Sequence, residues 1–491
     1  MSDLDRHAAL VRWMVDNKVE LSNVVRLGPS ELGGIGVFAT KKIDPQTVLL
    51  SVPKDQVLSP RTCGIADLLE EYELDGMIGL TVAYMFELGL GEGSPWCEFL
   101  NSFDFEPSEA SLPRFWEQNE QEWLQGTEVE AMGGMDVSEV KEAYEELIAP
   151  FMETYKHHFR PDLRNYESYA KSLMVVCSRA FEVDNFRGLS LVPGACLFNH
   201  SDNEHVHFEA DGSVCDMCGA FGFCEHDTEV LEAEAEEQGE KQFEEIETDD
   251  LIPELIEDDD WQDVDGDEEY DDEEGEEEDQ GDEDDDDEDN GTCDIRTIRP
   301  IARGDEIFNT YGEHSNGVLL SRYGFAIWDN HHETVSLAPE IVSHCKVTDI
   351  SGRLKWWKAN YQFIYEDAED LEDMEDIPDW LETTEVFSTG QPSFGLVVLL
   401  NMLTMTPKKF MLANALVSRG KYDVPRTLSP DAKDLLKKLI QKRLKRYHDG
   451  SMTSKDYLKL LENDLSPRQR LAAIVRGTEK LVLERTRKSL K

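Results

Sequence analysis

Phe198-Asn199-His200-Ser201-Asp202 and Glu306-Ile307-Phe308-Asn309-Thr310-Tyr311-Gly312 are the two strings on which the reading of this chain turns. A third, Gly33-Gly34-Ile35-Gly36-Val37-Phe38-Ala39, lies nearer the N-terminus. Taken singly, each has a bland meaning. An Asn-His pair is a turn whose polar groups are satisfied locally. A Gly-x-Gly is a tight turn, and a tyrosine before a glycine is the surface end of a strand. Their order along one chain, with a run of extreme acidity between the first two, carries the information.

Outward from these strings the texture alternates between short strands and long helices. Arg6 to Lys18 places Leu10, Val11, Met14 and Val15 on one helical face. From Val24 to Pro53 short alternating runs, including Thr47 to Val52, are punctuated by glycine and proline, the pattern of strands and tight turns. Residues 64–180 read as a helical insertion, with Leu80, Ala83, Tyr84, Phe86 and Leu88 as an apolar face. Strand texture returns at Gly188 to Phe208 and at Ile295 to Tyr311. Beyond Ile341 the pattern is helical to the end, with basic amphipathic stretches at Asp431 to Arg446 and Pro467 to Arg487.

Charge divides the chain sharply. Of the formal net charge of −58 over 491 residues, the stretch Glu229 to Asp289 holds 37 acidic residues against one lysine, or −36. Lys408 to Lys491 reverses sign, with 22 Lys and Arg against 9 Asp and Glu. A segment so poor in apolar residues cannot offset its chain entropy, so 229–290 is expected to be a disordered acidic loop inserted in a small β domain. An acidic chain suits basic protein partners and argues against direct nucleic-acid binding. No apolar run reaches the ~18–20 residues of a membrane span, and no apolar segment follows the N-terminal Met-Ser-Asp-Leu-Asp-Arg as a secretory signal requires. Nine cysteines in so long a chain point to a reducing compartment, nucleus or cytoplasm.

With the segments Gly34 to Thr40, Asn199 to Ser201 and Gly304 to Gly312 in that order, the chain resembles SET-domain protein-lysine N-methyltransferases. The insertion at 64–180 and the helical last third are similar to the Rubisco-methyltransferase-like branch, and within it to fungal enzymes that methylate ribosomal proteins. The resemblance implies an α+β architecture: an N-terminal helix (1–20), a strand-rich SET fold (21–325), and an all-helical substrate-binding domain (341–491). It also implies S-adenosyl-L-methionine as cofactor and a monomer acting on a basic, non-histone protein. Methyl transfer from a sulfonium to an amine is an in-line displacement that needs a neutral lysine, whose free pKa is ~10.4, and collinear placement of nitrogen, methyl and sulfur.

By that resemblance Tyr311 is the catalytic phenol, its oxygen able to accept weak C–H···O contacts. Gly34 and Gly36 let the backbone approach the cofactor; Asn199 and His200 hold it; Thr47, Val48 and Leu49, on the following strand, are cofactor-binding residues as well. Arg179 corresponds to an arginine that reaches the cofactor carboxylate, a structural ion pair being the other reading. Tyr323 and Phe325 correspond to residues around the adenine, with plain core packing as the alternative. One departure stands out: where the branch carries an acidic residue three positions before the asparagine, this chain has Cys196. A histone, a histidine acceptor, or a non-catalytic SET fold that binds basic proteins are the rival functions.

A second cluster lies beside the acidic run. Cys215, Cys218, Cys224 and His226 spell C-x2-C-x5-C-x-H within twelve residues. Three thiolates and an imidazole suit a tetrahedral structural zinc; reduced surface cysteines are the other reading. It is not the cysteine array that follows the catalytic tyrosine in chromatin-type SET enzymes, because no cysteine cluster follows Tyr311.

Overall fold

The computed structural model describes residues 3–490 apart from 33, 104–111, 211, 213, 222–223, 227–290, 367–378, 420 and 449–450. The acidic run at 229–290 therefore lies outside the described residues. The described residues form eleven strands: β1 (Glu20–Leu21), β2 (Val25–Pro29), β3 (Ile35–Ala39), β4 (Val48–Pro53), β5 (Ala180–Glu182), β6 (Leu189–Leu191), β7 (Val206–Ala210), β8 (Thr292–Thr297), β9 (Glu306–Ile307), β10 (Thr334–Ser336) and β11 (Glu385–Phe387). They form small antiparallel sheets ordered β1-β4-β8-β7, β2-β3-β9, β5-β6 and β10-β11.

Alternation explains most of the strand burial. In β8 the side chains of Cys293, Ile295 and Thr297 face inward and their neighbours outward. β4 breaks the rule with a register shift between Val48 and Leu50. That irregularity turns Leu49 and Leu50 both into the core, where each is fully buried. The N-terminal helix Asp3–Asp16 covers this core with Leu10, Trp13 and Met14.

The insertion is helical, as its spacing predicts. Its two longest members, Gly76–Leu90 and Tyr166–Cys177, pack together, and Asn165 caps the second by accepting from the Ser168 N–H at 2.9 Å. Three of the C-terminal helices begin on a repeated local signal, a hydroxyl residue followed by proline. Thr406, Ser429 and Ser466 each accept from a backbone N–H three residues on, starting Pro407–Val417, Pro430–Leu444 and Pro467–Ser489.

Among its described residues the regular structure of this region is helical but for β11, whose Val386 pairs with Val335 of β10. Three residues are too short a run to show alternation, and the pairing partner is some fifty residues away in sequence. Val335 and Leu337 belong to the C-terminal core, so that unit takes up chain ahead of residue 341.

A buried polar cluster ties the insertion to the C-terminal helices. Arg443, fully buried, donates to Glu128 Oε1 at 2.8 Å, to Glu479 Oε2 at 3.1 Å and to the Gly126 carbonyl. Tyr447 donates to Glu479 at 2.6 Å, and the Glu128 N–H donates to its other oxygen at 2.8 Å. Beside it, Trp116, Leu124 and Val129 of the insertion pack with Leu320, Ala472 and Val475.

Candidate active site

The segments Phe198 to Asp202 and Glu306 to Gly312 run side by side. The Asn309 N–H donates to the Asn199 carbonyl at 2.9 Å and the Ser201 N–H to the Asn309 carbonyl at 3.0 Å. One turn further, the His205 N–H donates to the Phe308 carbonyl at 2.7 Å while the Phe308 N–H returns to His205 Nδ1 at 3.2 Å. Backbone bonds between segments over a hundred residues apart thus hold Asn199-His200 against the chain leading to Tyr311.

His200 completes the junction. Its Nδ1 accepts from the Tyr311 N–H at 3.0 Å, which leaves the proton of the neutral ring on Nε2. That nitrogen lies 3.3 Å from Asp202 Oδ1 but without hydrogen-bond alignment. Burial holds the His200 pKa below its usual value, and Asp202 only partly offsets this.

Tyr311 sits in an aromatic cluster. Its ring centroid lies 4.9 Å from Tyr323, 5.2 Å from His200 and 6.1 Å from Phe325. The phenol donates to the Phe198 carbonyl at 3.3 Å, and Tyr323 donates to the Tyr311 carbonyl at 3.4 Å. Burial pushes the Tyr311 pKa up to about 12, with the Arg179 charge opposing, so the phenol stays protonated. The chain after Gly312 (φ +106°) is held by Asn316, which donates to the Ile327 carbonyl and Glu333 and accepts from the Ile327 N–H. That brace sets where Tyr323 and Phe325 stand.

Arg179 stacks over Phe103 at 4.8 Å, and its positive charge acts on the Cys196 thiol. Burial pushes that thiol's pKa up, so it remains uncharged. A neutral sulfur therefore occupies the place where a carboxylate was anticipated, and the guanidinium charge beside Tyr311 is not cancelled by it.

Gly34, at φ +68°, ends the β2–β3 turn, and Gly36 lies within β3 opposite Gly28. Asn199 Nδ2 donates to the Ile35 carbonyl at 3.4 Å and to Glu306 Oε1 at 2.8 Å, while Ser30 donates to Glu306 Oε2 at 3.1 Å. A Cβ on Gly36 would fall 2.2 Å from Glu306 Oε1, so this position tolerates only glycine without moving the carboxylate. Glu306 was not singled out from sequence; the signal was its place in the Glu306 to Gly312 string.

Gly36, Arg179, Asn199, His200, Tyr311, Tyr323 and Phe325 are thus joined through direct contacts or shared neighbours. Thr47, Val48 and Leu49 are engaged elsewhere. The Thr47 N–H donates to Thr297 Oγ1 and its hydroxyl to the Asp44 carbonyl, both at 2.8 Å, and Leu49 is in the core. A cleft of about 520 Å³, lined by Met77, Leu112, Phe115, Leu173, Val318 and Arg322 among others, shares no residue with the aromatic cluster. Cys215, Cys218, Cys224 and His226 come together as a separate group: one ligand atom from each lies within 4.8 Å of the others.

No family model matches the chain. It is similar to the ribosomal lysine N-methyltransferase 3 of Saccharomyces cerevisiae, with 27% identity over 483 residues, covering 84% of this chain and 86% of the relative. It is also similar to the N-lysine methyltransferase SETD6 of Rattus norvegicus, 30% identical over 220 residues; this match covers 42% of the chain and 46% of that relative. Among solved structures, the SET domain of LSMT bound to lysine and AdoHcy superposes with a TM-score of 0.60, at 17% identity, over 99% of this chain and 91% of the other. LSMT bound to AdoMet superposes with a TM-score of 0.59.

The fold that carries the site is that of a SET domain with a helical C-terminal region. In sequence and in fold the chain is thus similar to the LSMT-like SET-domain lysine methyltransferases.

Proposed function

We propose that this chain methylates lysine in a basic protein, with S-adenosylmethionine as donor and a ribosomal protein as substrate. The observation that carries the reading is Tyr311: half-buried, protonated, and pinned between the Phe198 carbonyl, His200 and Tyr323.

The residues fit the cofactor. The guanidinium of Arg179, facing a neutral thiol, has the charge and fork geometry to hold a carboxylate. Asn199, its Nδ2 committed to Glu306, keeps Oδ1 as an acceptor for an amino group. Tyr323 and Phe325 offer aromatic faces for a purine. When bound, the cofactor's sulfonium supplies the methyl group.

The chain's own residues then do two things. The Tyr311 hydroxyl donates a hydrogen bond to the Phe198 carbonyl, which leaves its lone pairs for weak C–H···O acceptance and fixes the direction of approach. The walls of Tyr311, Tyr323, Phe325 and His200 exclude water. An entering amine is desolvated there, which favours its neutral, nucleophilic form.

Two observations support a ribosomal substrate. The yeast relative, matched over most of its length, is named for that activity. The net −36 between Glu229 and Asp289 attracts basic proteins over a range set by the Debye length. The helical region 341–491 is then the unit that grips the substrate, in the cytoplasm or nucleus where ribosomal proteins are met.

The test is transfer of a radiolabelled methyl group to ribosomal fractions and to core histones. Label in ribosomal protein, lost at high salt, is the expected result. Label in histones alone moves the substrate, and label in neither, with no cofactor binding by calorimetry, ends the enzymatic reading.

A further inference from the structure

Strand β7 leaves its sheet at Ala210, opposite Cys293, and the chain then folds back on itself. Val214 and Phe221 bridge antiparallel. Between them the Cys215 N–H donates to the Ala220 carbonyl at 2.9 Å, and the Gly219 N–H donates to the Cys215 carbonyl at 2.8 Å. Gly219, at φ +69°, closes the turn, a backbone state that favours glycine. A Cβ there would lie 2.5 Å from the Phe186 ring, so the same glycine lets the turn seat on Phe186.

The turn presents sulfur in a particular way. The Cys215 and Cys218 sulfurs come within 4.8 Å of each other. The Cys-Asp-Met-Cys-Gly sequence is thereby wound into a loop with both thiols on one side. The chain then brings Cys224 and His226 back over it. His226 Nδ1 lies 3.8 Å from Cys215 Sγ and 3.7 Å from Cys224 Sγ. All four ligand atoms fall within 4.8 Å of one another. A zinc ion with Zn–S of ~2.3 Å and Zn–N of ~2.0 Å spaces its tetrahedral ligands ~3.5–3.8 Å apart, so the cluster needs to contract by at most about 1 Å.

We propose that Cys215, Cys218, Cys224 and His226 bind one zinc ion as a structural site. Three sulfurs and an imidazole select zinc over the hard cations that the neighbouring carboxylates attract. Four protein ligands leave no open position for catalysis. The place in the fold agrees. The group lies beyond the Ala210 end of β7, whereas the Val206 end meets Phe308 next to the aromatic cluster. Phe186, under the turn, belongs to the β5–β6 connection, where Asp184 pairs with Lys54 and Arg187 at the end of β4. The ion therefore fastens the chain to the sheet framework at the last point before the acidic run begins.

The experiment is metal analysis of the full chain purified without chelators, followed by exchange with cobalt(II). About one zinc per chain and the visible absorption of a tetrahedral thiolate–cobalt centre are expected. Cys218→Ser, at the most exposed of the four positions, is expected to weaken metal binding roughly tenfold or more, while Cys97→Ser changes nothing. Zinc well below one per chain after reconstitution, a spectrum without thiolate–cobalt bands, or a Cys215–Cys218 disulfide found by mass spectrometry would overturn the proposal. The wild-type spectrum decides even where the serine variant fails to fold.

Discussion

The backbone N–H of Tyr311 donates to Nδ1 of His200 at 3.0 Å, joining two residues 111 positions apart. This bond fixes the imidazole tautomer, and the imidazole ring flanks the Tyr311 phenol. It also makes His200 a structural acceptor, a role only the neutral ring can fill.

Stability is therefore expected to depend on pH through His200. Its folded pKa is depressed by burial, so at mildly acidic pH the unfolded chain binds the proton first. The stabilisation is present above the unfolded value of ~6.5 and is lost as pH falls below it, with a slope of up to ~1.4 kcal/mol per pH unit for one proton. Urea melts between pH 8 and pH 5 on the wild type and His200→Gln measure this; an unchanged slope in the variant removes His200 as the source.

Tyr311→Phe keeps the ring and deletes the oxygen held 3.3 Å from the Phe198 carbonyl. Single-turnover methyl transfer is expected to fall by about a hundredfold, in the range for losing one preorganised polar group. Calorimetric affinity for the cofactor should stay near that of the wild type. Equal turnover would take Tyr311 out of the transfer step.

Gly36 and Glu306 are expected to be coupled. Gly36→Ala pushes a methyl group into the Glu306 carboxylate and disturbs the Asn199 amide bonded to it. Overpacking of this kind costs about 1–3 kcal/mol. Glu306→Ala frees the space, so the double variant should lose less cofactor affinity than the two single losses added together. Strict additivity in a calorimetric double-mutant cycle counts against the contact.

Arg443→Met leaves Glu479 buried without its cation. Removing one member of a buried ion pair costs about 3–5 kcal/mol. Because Glu128 of the insertion and Glu479 of the last helix share this arginine, the loss should appear as a lower urea midpoint. A midpoint within error of the wild type would show that the two regions are held by apolar packing alone.

Some of what the structure holds was open to reading in one dimension. The hairpin around Gly34 and Gly36, the helical insertion and the Ser-Pro helix starts are local, set by turn chemistry, capping and apolar spacing. Even Arg443 left a trace: it follows Ala432, Leu435, Leu436, Leu439 and Ile440 on the buried stripe of its helix, where a charge implies a partner. Its partner Glu479 lies in the last helix within Val475 to Lys480, a run buried on every side. Which of the 105 acidic residues it meets could not be read from spacing. Likewise Thr47, Val48 and Leu49 looked like site residues by resemblance, and a register shift in β4 turned Leu49 into the core.

By itself the sequence determined the inventory: three ordered blocks, a helical insertion, a Cys/His quartet and a charge division, because each is a matter of composition and short-range periodicity. The tertiary structure alone decided the neighbours. Tyr311 against His200, Cys196 under Arg179, and Glu306 filling the space at Gly36 all join residues brought together by chain crossings. Such contacts depend on how distant segments pack, and no local spacing encodes that.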